Sequence, residues 1–505
     1  MSSMTLDLPN SYTGWMEIAG GTTMPCDAFV DGSQVPASSG ATFEDRSARD
    51  GCVLANVAFC NEVDVNRAVA AARTAFEDGR WSRVHPRHRK KVLLAFARLI
   101  RENAAELAVL ETLDVGKPIT EAVKVDVGGA AMCIEYFAEA ADKLMGEVAP
   151  MGAEILATVT REPVGVVGCV VPWNYPMLIT SWKLGPALVT GNSVVLKPAE
   201  QSPLTAIRLA ELATQAGLPD GVLNVIPGDG PTTGRLLGLH PDVDKLAFTG
   251  STEVGRLFLS YAGQSNMKMV SLECGGKSPH IVLADAPDLQ VAADAVAWGI
   301  FYNQGESCSA GSRLLVDRSV KDEVVARVVA LARTLVVGDP LDPATQVGAV
   351  IDGVQQGRIL SYIDGATAAG AEVLIGGSAL RQETGGNYMA PTVVDSVTPS
   401  MAIAREEVFG PVLAVLDVDG PDEALTVAND TMYGLAAAVW TRDISTAHRM
   451  ASRLKAGTVW VNTYDATDVA LPFGGFKQSG FGRDKSLHAI DGYTQLKTTW
   501  VDFSR

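Results

Sequence analysis

Residues 64–143 have the hydrophobic spacing of helices and little that is typical of strands. In residues 64–77, apolar side chains recur every three or four positions, which predicts an amphipathic helix that Asp64 caps. The same spacing predicts helices over about 88–103, over the segment ELAVLETLDVGKP, and over about 120–143. Residues up to about Ala58 are expected to form short strands and turns. Four successive helices would form a scaffold that packs against another layer.

Residues 146–163 change to alternating, β-branched positions, which predict a hairpin. This hairpin could be an ordinary surface feature or an arm used in assembly. From Val164 onward strands and helices alternate, and VGVVGCVVPW is a continuous apolar run, typical of a strand buried on both faces. A second alternating set begins at Ser278. The order predicts an α/β fold with parallel sheets, which bind ligands at the carboxyl edge of the strands.

Length and charge narrow the function classes. A chain of 505 residues is too long for one simple core, so two or three domains are expected. The formal net charge of -17 argues against nucleic acid or an anionic membrane as a partner. We expect no signal peptide and no membrane helix, because the N-terminus has no basic start and no apolar run approaches the required length. A cytoplasmic location is therefore expected.

The cysteines and histidines do not predict a metal site or a disulfide framework. Seven cysteines are scattered along the chain without a C-x-x-C pair, and six histidines show no ligand spacing. One cysteine stands out, Cys308 in FYNQGESCSAGSR, because its small neighbours could leave a thiol exposed and reactive. Glu273, in SLECGGKSP, is a lone acid in a second glycine-rich turn. A nucleophile and a carboxylate suggest covalent chemistry followed by activation of water, whereas a buried inert thiol is the alternative.

The chain has no GxGxxG fingerprint, so any nucleotide site must use other turns. Gly250 and Ser251, in FTGSTEVG, lie between a predicted strand and helix, where N–H groups could approach a pyrophosphate. In KPAE, Glu200 could accept the hydroxyls of an adenosine ribose and Lys197 could donate to them. Asn174, in PWNYP, could donate its amide to an oxyanion. Each segment could equally be an ordinary turn or a solvated surface pair.

Together these segments resemble one family, the NAD(P)-dependent aldehyde dehydrogenases, from about Phe29 to Trp500. The motifs that carry the resemblance are, in chain order, PWNYP, KPAE, FTGSTEVG, LECGGKSP, NQGESCSAGSR, EEVFGP and PFGGFKQSG. Within the family, the sequence is especially similar to bacterial enzymes that oxidise γ-glutamyl-γ-aminobutyraldehyde and other ω-amino aldehydes. That closer similarity rests on AAVWTRDISTAHRMASRLKAG and GRDKSLHAI.

The resemblance implies a fold of two Rossmann-like α/β domains and a small β oligomerisation arm. Residues 1–145 and 164–276 would form the NAD-binding domain, and residues 277–485 the catalytic domain. Residues 146–163 and 486–505 would form the arm, so a homodimer or homotetramer is expected. The resemblance also implies NAD as cofactor, with NADP less favoured because the carboxylate of Glu200 would repel a 2′-phosphate.

The resemblance further implies a role for each catalytic residue. Cys308 would attack the aldehyde carbon, and the Asn174 amide and the Cys308 N–H would hold the oxyanion. Glu273 would activate the water that hydrolyses the thioester, and Lys183 with Asp484 would relay the proton. The implied cofactor contacts are Val171, Pro172, Trp173, Lys197, Glu200, Gly230, Phe248, Gly250, Ser251, Gly255, Glu273, Glu407 and Phe409.

The implied substrate tunnel is lined by Tyr175, Trp182, Tyr302, Asp465 and Phe473. Aromatic rings can hold an aliphatic chain or face a cation. Asp465 and Asp468 are expected near the tunnel mouth, where they could attract an ammonium or guanidinium tail, or could be only a solvated acidic loop. Glu306 replaces a glutamine common in the family, and its charge is expected to raise the pKa of the Cys308 thiol if the side chains approach. Asp484 stands where relatives often have Glu, and Cys274 is interpreted first as a packing residue.

The expected function is therefore oxidation of an aldehyde, most specifically an ω-amino aldehyde of polyamine or amine catabolism, to the free acid. Coenzyme A-dependent relatives lack the carboxylate that Glu273 supplies, so hydrolysis is favoured. Betaine aldehyde or a simple aliphatic aldehyde is the alternative substrate. A cofactor-free cysteine hydrolase and a non-catalytic protein of this fold are the alternative functions.

Overall fold

The computed structural model describes residues 8–504 and contains two large sheets. The first sheet has eight strands, of which the five central ones are parallel and the edge strands antiparallel. From edge to edge, the strands are Ser33–Val35, Ala28–Val30, Leu223–Val225, Ser193–Lys197, Val166–Val170, Lys245–Gly250, Met269–Cys274 and Gly480–Phe481. Every residue of Val166–Val170 and Ser193–Lys197 is buried, which explains their continuous apolar sequence.

Helices cover both faces of this sheet, and their bounds correct two sequence predictions. The first predicted helix begins two residues earlier, because Asn61 is the N-cap and Asp64 completes a capping box within the helix. The predicted helix over 120–143 is interrupted by a π-helical turn, Ala122–Val127. The helices are Tyr12–Gly21, Glu62–Glu77, Pro86–Glu102, Ala104–Val115, Ile119–Glu121, Gly128–Ala140, Pro176–Val189, Leu204–Gln215, Arg235–Leu239 and Thr252–Gln264.

The first of these helices, Tyr12–Gly21, was not predicted. Its sequence contains three glycines in or beside it, which weaken a helical pattern. Ser11 supplies the missing signal, because its hydroxyl accepts a hydrogen bond from the Gly14 N–H as an N-cap. Trp15 is buried and anchors the helix to the core. Local capping and one aromatic contact therefore outweigh the low propensity.

The second large sheet has seven strands, and all but one edge strand are parallel. Its order is Glu372–Ile375, Thr392–Asp395, Val412–Val418, Arg313–Asp317, Pro279–Val282, Ala436–Trp440 and Thr458–Val461. The helices on its faces are Leu289–Phe301, Lys321–Ala332, Gly353–Ala368, Ala402–Arg405, Gly420–Asn429 and Ile444–Arg453. Two parallel sheets with helices on both faces confirm the predicted α/β class, whereas the residue limits of the domains stay a prediction.

A third, three-stranded antiparallel sheet joins distant parts of the chain. The predicted hairpin forms from Glu147–Ala149 and Ile155–Pro163, and Thr494–Asp502 pairs with the second of these along nine residues. Short ladders join Thr42–Arg46 to Val53–Ala58 and Ala379–Leu380 to Tyr388–Met389. Within residues 8–504, no helix has the length and apolar character needed to cross a bilayer.

Candidate active site

A cavity of about 450 Å³ lies between the two large sheets. The carboxyl ends of first-sheet strands reach it at Gly250 and Glu273, and segments that precede second-sheet strands reach it at Cys308 and Phe409. Of the residues predicted to belong to the site, those that line it are Pro172, Trp173, Asn174, Tyr175, Trp182, Gly250, Ser251, Glu273, Tyr302, Cys308, Glu407, Phe409, Asp465 and Phe473. Those outside the lining are Val171, Lys183, Lys197, Glu200, Gly230, Phe248, Gly255, Asp468 and Asp484.

Cys308 is carried by a strained loop that follows the helix Leu289–Phe301. Asn303 and Gln304 have left-handed backbones, with φ of 47° and 56°. Gly305 follows with φ of 72°, and a Cβ there would meet the Gly410 carbonyl oxygen at 2.1 Å. Only glycine fits this approach, and the two preceding residues keep an unfavourable conformation because the surroundings hold them. The loop therefore presents Cys308 in a fixed position.

Two asparagines fix the same loop through one carbonyl. The Asn174 side chain donates to the Glu306 carbonyl oxygen at 2.8 Å, and the Asn303 side chain donates to it at 3.0 Å. Asn303 also donates to the Asn174 carbonyl at 3.3 Å. Since an amide nitrogen carries two hydrogens, Asn174 keeps one N–H that this contact does not use. The network holds the Asn174 amide beside the segment that ends in Cys308.

The Cys308 thiol is half-buried and lies among acidic groups. Burial raises its pKa well above the ordinary value, and the carboxyl groups of Glu407, Glu273 and Asp465 raise the pKa further. A backbone hydrogen bond at Ser309 opposes this shift only in part. The raised pKa favours the protonated thiol, so reaction as a nucleophile requires removal of its proton.

The expected effect of Glu306 on this thiol is not observed. The Glu306 side chain is fully buried away from the cavity, where Oε1 accepts a hydrogen bond from the Ile351 N–H at 3.1 Å. Burial raises the pKa of Glu306 well above its usual value, which favours the neutral acid. The carboxyl groups that most strongly raise the pKa of Cys308 are those of Glu407, Glu273 and Asp465. The sequence places it two residues from the thiol, but the turn directs the two side chains apart.

Glu273 is a buried carboxyl group at the end of the strand Met269–Cys274. Neither of its oxygens accepts a side-chain or well-formed backbone hydrogen bond from residues 8–504. Burial raises its pKa well above the ordinary value, and the nearby Asp484 adds to the shift while Lys183 and Arg483 oppose it. Gly474 has φ of 157°, and a Cβ there would lie 2.5 Å from Glu273 Oε1. Glycine at this position therefore makes room for the carboxyl group.

Lys183 and Asp484 form a buried ion pair behind Glu273. Their N–O distance is 2.5 Å, and their side chains are 1% and 5% exposed. Lys183 comes from the helix Pro176–Val189, and Asp484 follows the strand Gly480–Phe481. Two segments that are 301 residues apart in sequence are therefore joined by one charge-assisted contact.

The part of the cavity near Ser251 has donors suited to an anion. Ser251 caps the helix Thr252–Gln264 through its hydroxyl, which accepts from the Val254 N–H at 3.2 Å. Next to it, the buried Thr249 hydroxyl has no hydrogen-bond partner among residues 8–504. Beyond the cavity lining, Lys197 and Glu200 form a 3.0 Å ion pair at the end of the strand Ser193–Lys197. Cys274 lines this region, and a Cβ on Gly255 would meet its sulfur at 3.0 Å, in keeping with a packing role.

Glu407 and Phe409 close the same region from the second sheet. Glu407 Oε1 accepts from the Gly276 N–H at 2.9 Å, and burial raises the pKa of Glu407 to about 7. The Phe409 ring meets the Trp173 ring edge to face, with centroids 5.2 Å apart. The ring contact links the motif EEVFGP to the motif PWNYP across the cavity.

The opposite end of the cavity is aromatic and carries two charged side chains. Trp182 and Phe473 lie with ring centroids 5.3 Å apart, and the ammonium of Lys485 lies over both rings at 5.3 and 5.5 Å. Asp465 lines the cavity and accepts from the Ser309 hydroxyl at 3.4 Å, whereas the exposed Asp468 does not line it. The expected acidic mouth thus contains one carboxylate and also a lysine.

Several lining residues were not predicted. Leu178 and Ile179 lie three and four positions after Tyr175, so helical periodicity alone could have added them to Tyr175 and Trp182. For Lys485, the only sequence signal was its position in the segment GRDKS, which does not by itself predict a cavity-lining residue. The remaining unpredicted lining residues are Val125, Thr249, Cys274, Gly275, Ser307, Ser309, Gln355, Arg358, Thr458, Trp460, Ala466, Thr467, Leu471 and Pro472.

Comparison with known proteins gives one consistent result. Residues 35–499 match the model of the aldehyde dehydrogenase family. The NADP/NAD-dependent aldehyde dehydrogenase PuuC of Escherichia coli K12 is 50% identical over 487 residues, which cover 96% of this chain and 98% of that protein.

Two solved structures extend the similarity. The γ-glutamyl-γ-aminobutyraldehyde dehydrogenase of Burkholderia cenocepacia J2315 is 56% identical with a TM-score of 0.96, covering 98% of this chain and 100% of that one. An indole-3-acetaldehyde dehydrogenase complexed with NAD⁺ is 55% identical with a TM-score of 0.96, and the match covers 97% of this chain and 99% of that one. Together with the cavity that joins Cys308, Asn174 and Glu273, these matches establish that the chain belongs to the aldehyde dehydrogenase family.

Proposed function

We propose that the protein oxidises an ω-amino aldehyde to the free carboxylic acid with NAD, using Cys308 as the nucleophile. The observation that carries this proposal is the meeting of Cys308, Asn174 and Glu273 on one cavity between the two sheets. A thiol, an amide donor and a carboxyl base are the groups that acyl chemistry at an aldehyde carbon requires. The family membership supports the reaction class.

The residues present fit a dinucleotide. The helix Thr252–Gln264 has its N-terminus at the cavity, and Ser251 uses its hydroxyl on Val254, which leaves earlier N–H groups for a phosphate. The buried, unpartnered hydroxyl of Thr249 is a further donor at the same edge. Pro172, Trp173, Gly250, Glu407 and Phe409 would enclose the nicotinamide end. Val171, Gly230, Phe248 and Gly255 would support this region from outside the lining.

Lys197 and Glu200 would bind the adenosine ribose and set the cofactor preference. Glu200 is 40% exposed and accessible to a ligand, while Lys197 is buried and fixes its carboxylate at 3.0 Å. A fixed carboxylate accepts ribose hydroxyls and repels a 2′-phosphate. NAD is therefore favoured over NADP, with NADP use possible at lower efficiency.

Cys308 would lose its thiol proton to water and then attack the aldehyde carbon, forming a thiohemiacetal. The free N–H of Asn174 and the backbone N–H of Cys308 would hold the oxyanion as charge develops on oxygen. Bound NAD supplies the acceptor for the hydride that leaves this carbon. Cys308 would then carry a thioester, which keeps the acyl group covalently attached until water arrives.

Glu273 would remove a proton from the water that attacks the thioester. Burial raises its pKa, so its carboxylate is a stronger base than that of an ordinary glutamate. The Lys183–Asp484 pair behind it would receive the proton and pass it on. Hydrolysis releases the free acid, and the Cys308 thiol is restored.

Asp465 would bind the ammonium of the substrate tail. It lines the aromatic end of the cavity together with Tyr175, Trp182, Tyr302 and Phe473. γ-Aminobutyraldehyde and its γ-glutamyl derivative are the proposed substrates, which belong to putrescine and amine catabolism. The solved relative from Burkholderia cenocepacia supports this class by its name. Betaine aldehyde and plain aliphatic aldehydes are the competing substrates.

We further propose a homodimer or homotetramer in the cytoplasm, assembled through the three-stranded sheet. Its strand Thr494–Asp502 is exposed over eight of nine residues, although it carries Leu496 and Trp500, which are 65% and 56% exposed. Large apolar side chains on an exposed strand are typical of an interface. Sedimentation velocity with Leu496→Asp and Trp500→Asp would show smaller particles if this sheet forms the contact.

The experiment that tests the function is NADH formation over a panel of aldehydes. The panel contains γ-aminobutyraldehyde, γ-glutamyl-γ-aminobutyraldehyde, betaine aldehyde and propanal, each with NAD and NADP. A higher kcat/KM for the amino-terminated members with NAD is the expected result. Similar kcat/KM values for all the aldehydes would support the oxidation reaction but contradict the proposed preference for amino aldehydes. If neither NAD nor NADP is reduced with any aldehyde, the proposed chemistry is wrong.

A further inference from the structure

Lys485 is a charged side chain in the cavity that the proposed reaction does not use. The residue is 5% exposed and lines the aromatic end of the cavity. Among residues 8–504, no carboxylate lies within 4.0 Å of its ammonium. By contrast, the adjacent residue Asp484 is fully engaged with Lys183. A buried ammonium without a counter-ion is unfavourable unless a ligand supplies one.

The surroundings of Lys485 hold its ammonium in place without satisfying it. Its Nζ donates to the Thr467 hydroxyl and lies over the rings of Trp182 and Phe473. Its backbone has φ of 60°, and the following N–H, of Ser486, donates to the Val469 carbonyl at 2.7 Å. An ammonium has three donors, and one is used, so two remain for a ligand. The rings that could have faced a substrate cation are already occupied by this lysine.

Asp465 supplies the opposite charge at the same end of the cavity. It accepts a hydrogen bond from Ser309, and within residues 8–504 no lysine or arginine lies within ion-pair distance of it. Asp465 and Lys485 influence each other electrostatically but do not form a direct pair. The cavity therefore offers one anionic and one cationic group, and neither forms an ion pair within residues 8–504. A tail with a single charge would satisfy one group and be repelled by the other.

We propose that Lys485 binds a carboxylate on the distal end of the substrate while Asp465 binds an ammonium there, so that the enzyme selects aldehydes with an α-amino-acid terminus. This inference rests on the proposed function and narrows its substrate class. An aldehyde with a bare ammonium meets Lys485 as a like charge, which lowers its affinity. A trimethylammonium tail has the same disadvantage and lacks any hydrogen-bond donor for Asp465. A neutral tail leaves the buried ammonium of Lys485 without a counter-ion and offers Asp465 no donor.

The test uses four amides of γ-aminobutyraldehyde that differ only in the tail charges. The γ-glutamyl amide carries both charges, the γ-aminobutanoyl amide only the ammonium, the glutaryl amide only the carboxylate, and the butanoyl amide neither. For the unaltered enzyme, we expect the γ-glutamyl amide to have the highest kcat/KM, by about tenfold or more over each singly charged amide. The difference should arise mainly in KM, because the tail is remote from the reacting carbon.

Variants assign the two contacts. Lys485→Met should lower the ratio of kcat/KM for the glutaryl amide to that for the butanoyl amide at least tenfold, and Asp465→Asn should lower the corresponding ratio for the γ-aminobutanoyl amide. Lys485→Arg should retain part of the carboxylate preference. The matched controls are the exposed Lys91→Met and Asp468→Asn, which should leave both ratios unchanged.

The outcomes separate this inference from the proposed function. An equal loss on all four amides in Lys485→Met would assign the lysine to packing and overturn the inference. Equal kcat/KM values for the γ-glutamyl and γ-aminobutanoyl amides with the unaltered enzyme would also overturn it, while leaving the dehydrogenase reaction intact. If Lys485→Met does not fold, inhibition of the unaltered enzyme by the four corresponding acids gives the same comparison. Absence of NADH with every aldehyde would instead refute the proposed function.

Discussion

Asn174 donates its side-chain amide to the backbone carbonyl of Glu306, 2.8 Å away, just ahead of Cys308. The contact orients the remaining N–H of the amide relative to the loop that carries the thiol. Replacing Asn174 with alanine should therefore remove an oxyanion donor and also loosen that loop. We expect kcat to fall by about 10²–10³-fold, the range known for the loss of one oxyanion donor.

Pre-steady-state NADH formation with Asn174→Ala checks this expectation, because the loss should appear in the first turnover. Asn303→Ala is the matched control, since Asn303 contacts the same carbonyl without being a cavity-lining residue. A much smaller loss in Asn303→Ala would separate the oxyanion contact from the anchoring of the loop. Equal losses in the two variants would assign the effect of Asn174 to anchoring alone.

Glu273→Gln should stop turnover after the acyl-enzyme forms. The amide cannot accept a proton from water, whereas attack by Cys308 and loss of hydride do not use this carboxylate in the proposed mechanism. We expect a burst of about one NADH per site followed by a steady rate reduced by at least about 10²-fold. Rapid-mixing absorbance measures both phases. Unchanged steady turnover in Glu273→Gln would remove Glu273 from the mechanism.

The same carboxyl group predicts a pH dependence for the steady phase. Because burial raises the pKa of Glu273, its basic form is gained at a higher pH than for an ordinary glutamate. The rate of deacylation should therefore rise with pH through this raised pKa. The burst amplitude should not follow this titration.

Much of the site could be predicted from sequence because its groups lie in short motifs with turn-forming residues. Cys308, Glu273 and Asn174 each have a glycine or proline within three positions in the sequence, and each lines the cavity. Tyr175 is the N-cap of the helix Pro176–Val189, and Trp182 lies about two turns further along, so the 3.6-residue period predicts that both face the same side. The alternation of apolar strands and helices likewise predicted the two parallel sheets.

Side-chain direction in irregular segments could not be predicted in this way. Glu306 is close to Cys308 in sequence, but the left-handed turn at Asn303 and Gln304 directs its carboxyl group into the core. Asp484 and Lys485 are adjacent in sequence, but their side chains lie in different environments: Lys485 lines the cavity, whereas Asp484 forms an ion pair with Lys183. Such choices depend on tertiary contacts, which a linear pattern does not contain.

Asp465 predicts a second pH effect, on substrate affinity. Burial raises its pKa from 3.8 to about 6, so the carboxylate that binds an ammonium is present above about pH 6 and is lost as the pH falls through that value. The kcat/KM for γ-aminobutanoyl-γ-aminobutyraldehyde should fall below about pH 6 more steeply than that for the butanoyl amide. The pH profile of kcat/KM reports groups of the free enzyme, which makes it the suitable measurement.

Two variants connect this titration with Asp465. Asp465→Asn should give the two amides parallel pH profiles, because the titrating group has been removed. Asp468→Asn changes an exposed carboxylate in the same loop and should retain the difference. Parallel profiles in the unaltered enzyme would show that no ammonium binds at Asp465.

Glu200 is the residue whose replacement should change the cofactor preference. Its carboxylate forms an ion pair with Lys197 at the end of the strand Ser193–Lys197, and the Glu200 side chain is 40% exposed. Glu200→Gln removes the charge that would repel a 2′-phosphate and frees the Lys197 ammonium to attract it. We expect the ratio of kcat/KM for NADP to that for NAD to rise about tenfold or more, equivalent to about 1.4 kcal/mol. Glu200→Asp keeps the charge on a shorter side chain and should lower the use of NAD without a comparable gain for NADP. Initial rates with each cofactor at a saturating aldehyde concentration give the ratio of kcat/KM for NADP to that for NAD in each variant. If the ratio does not change in Glu200→Gln, a contact other than Glu200 determines the cofactor preference.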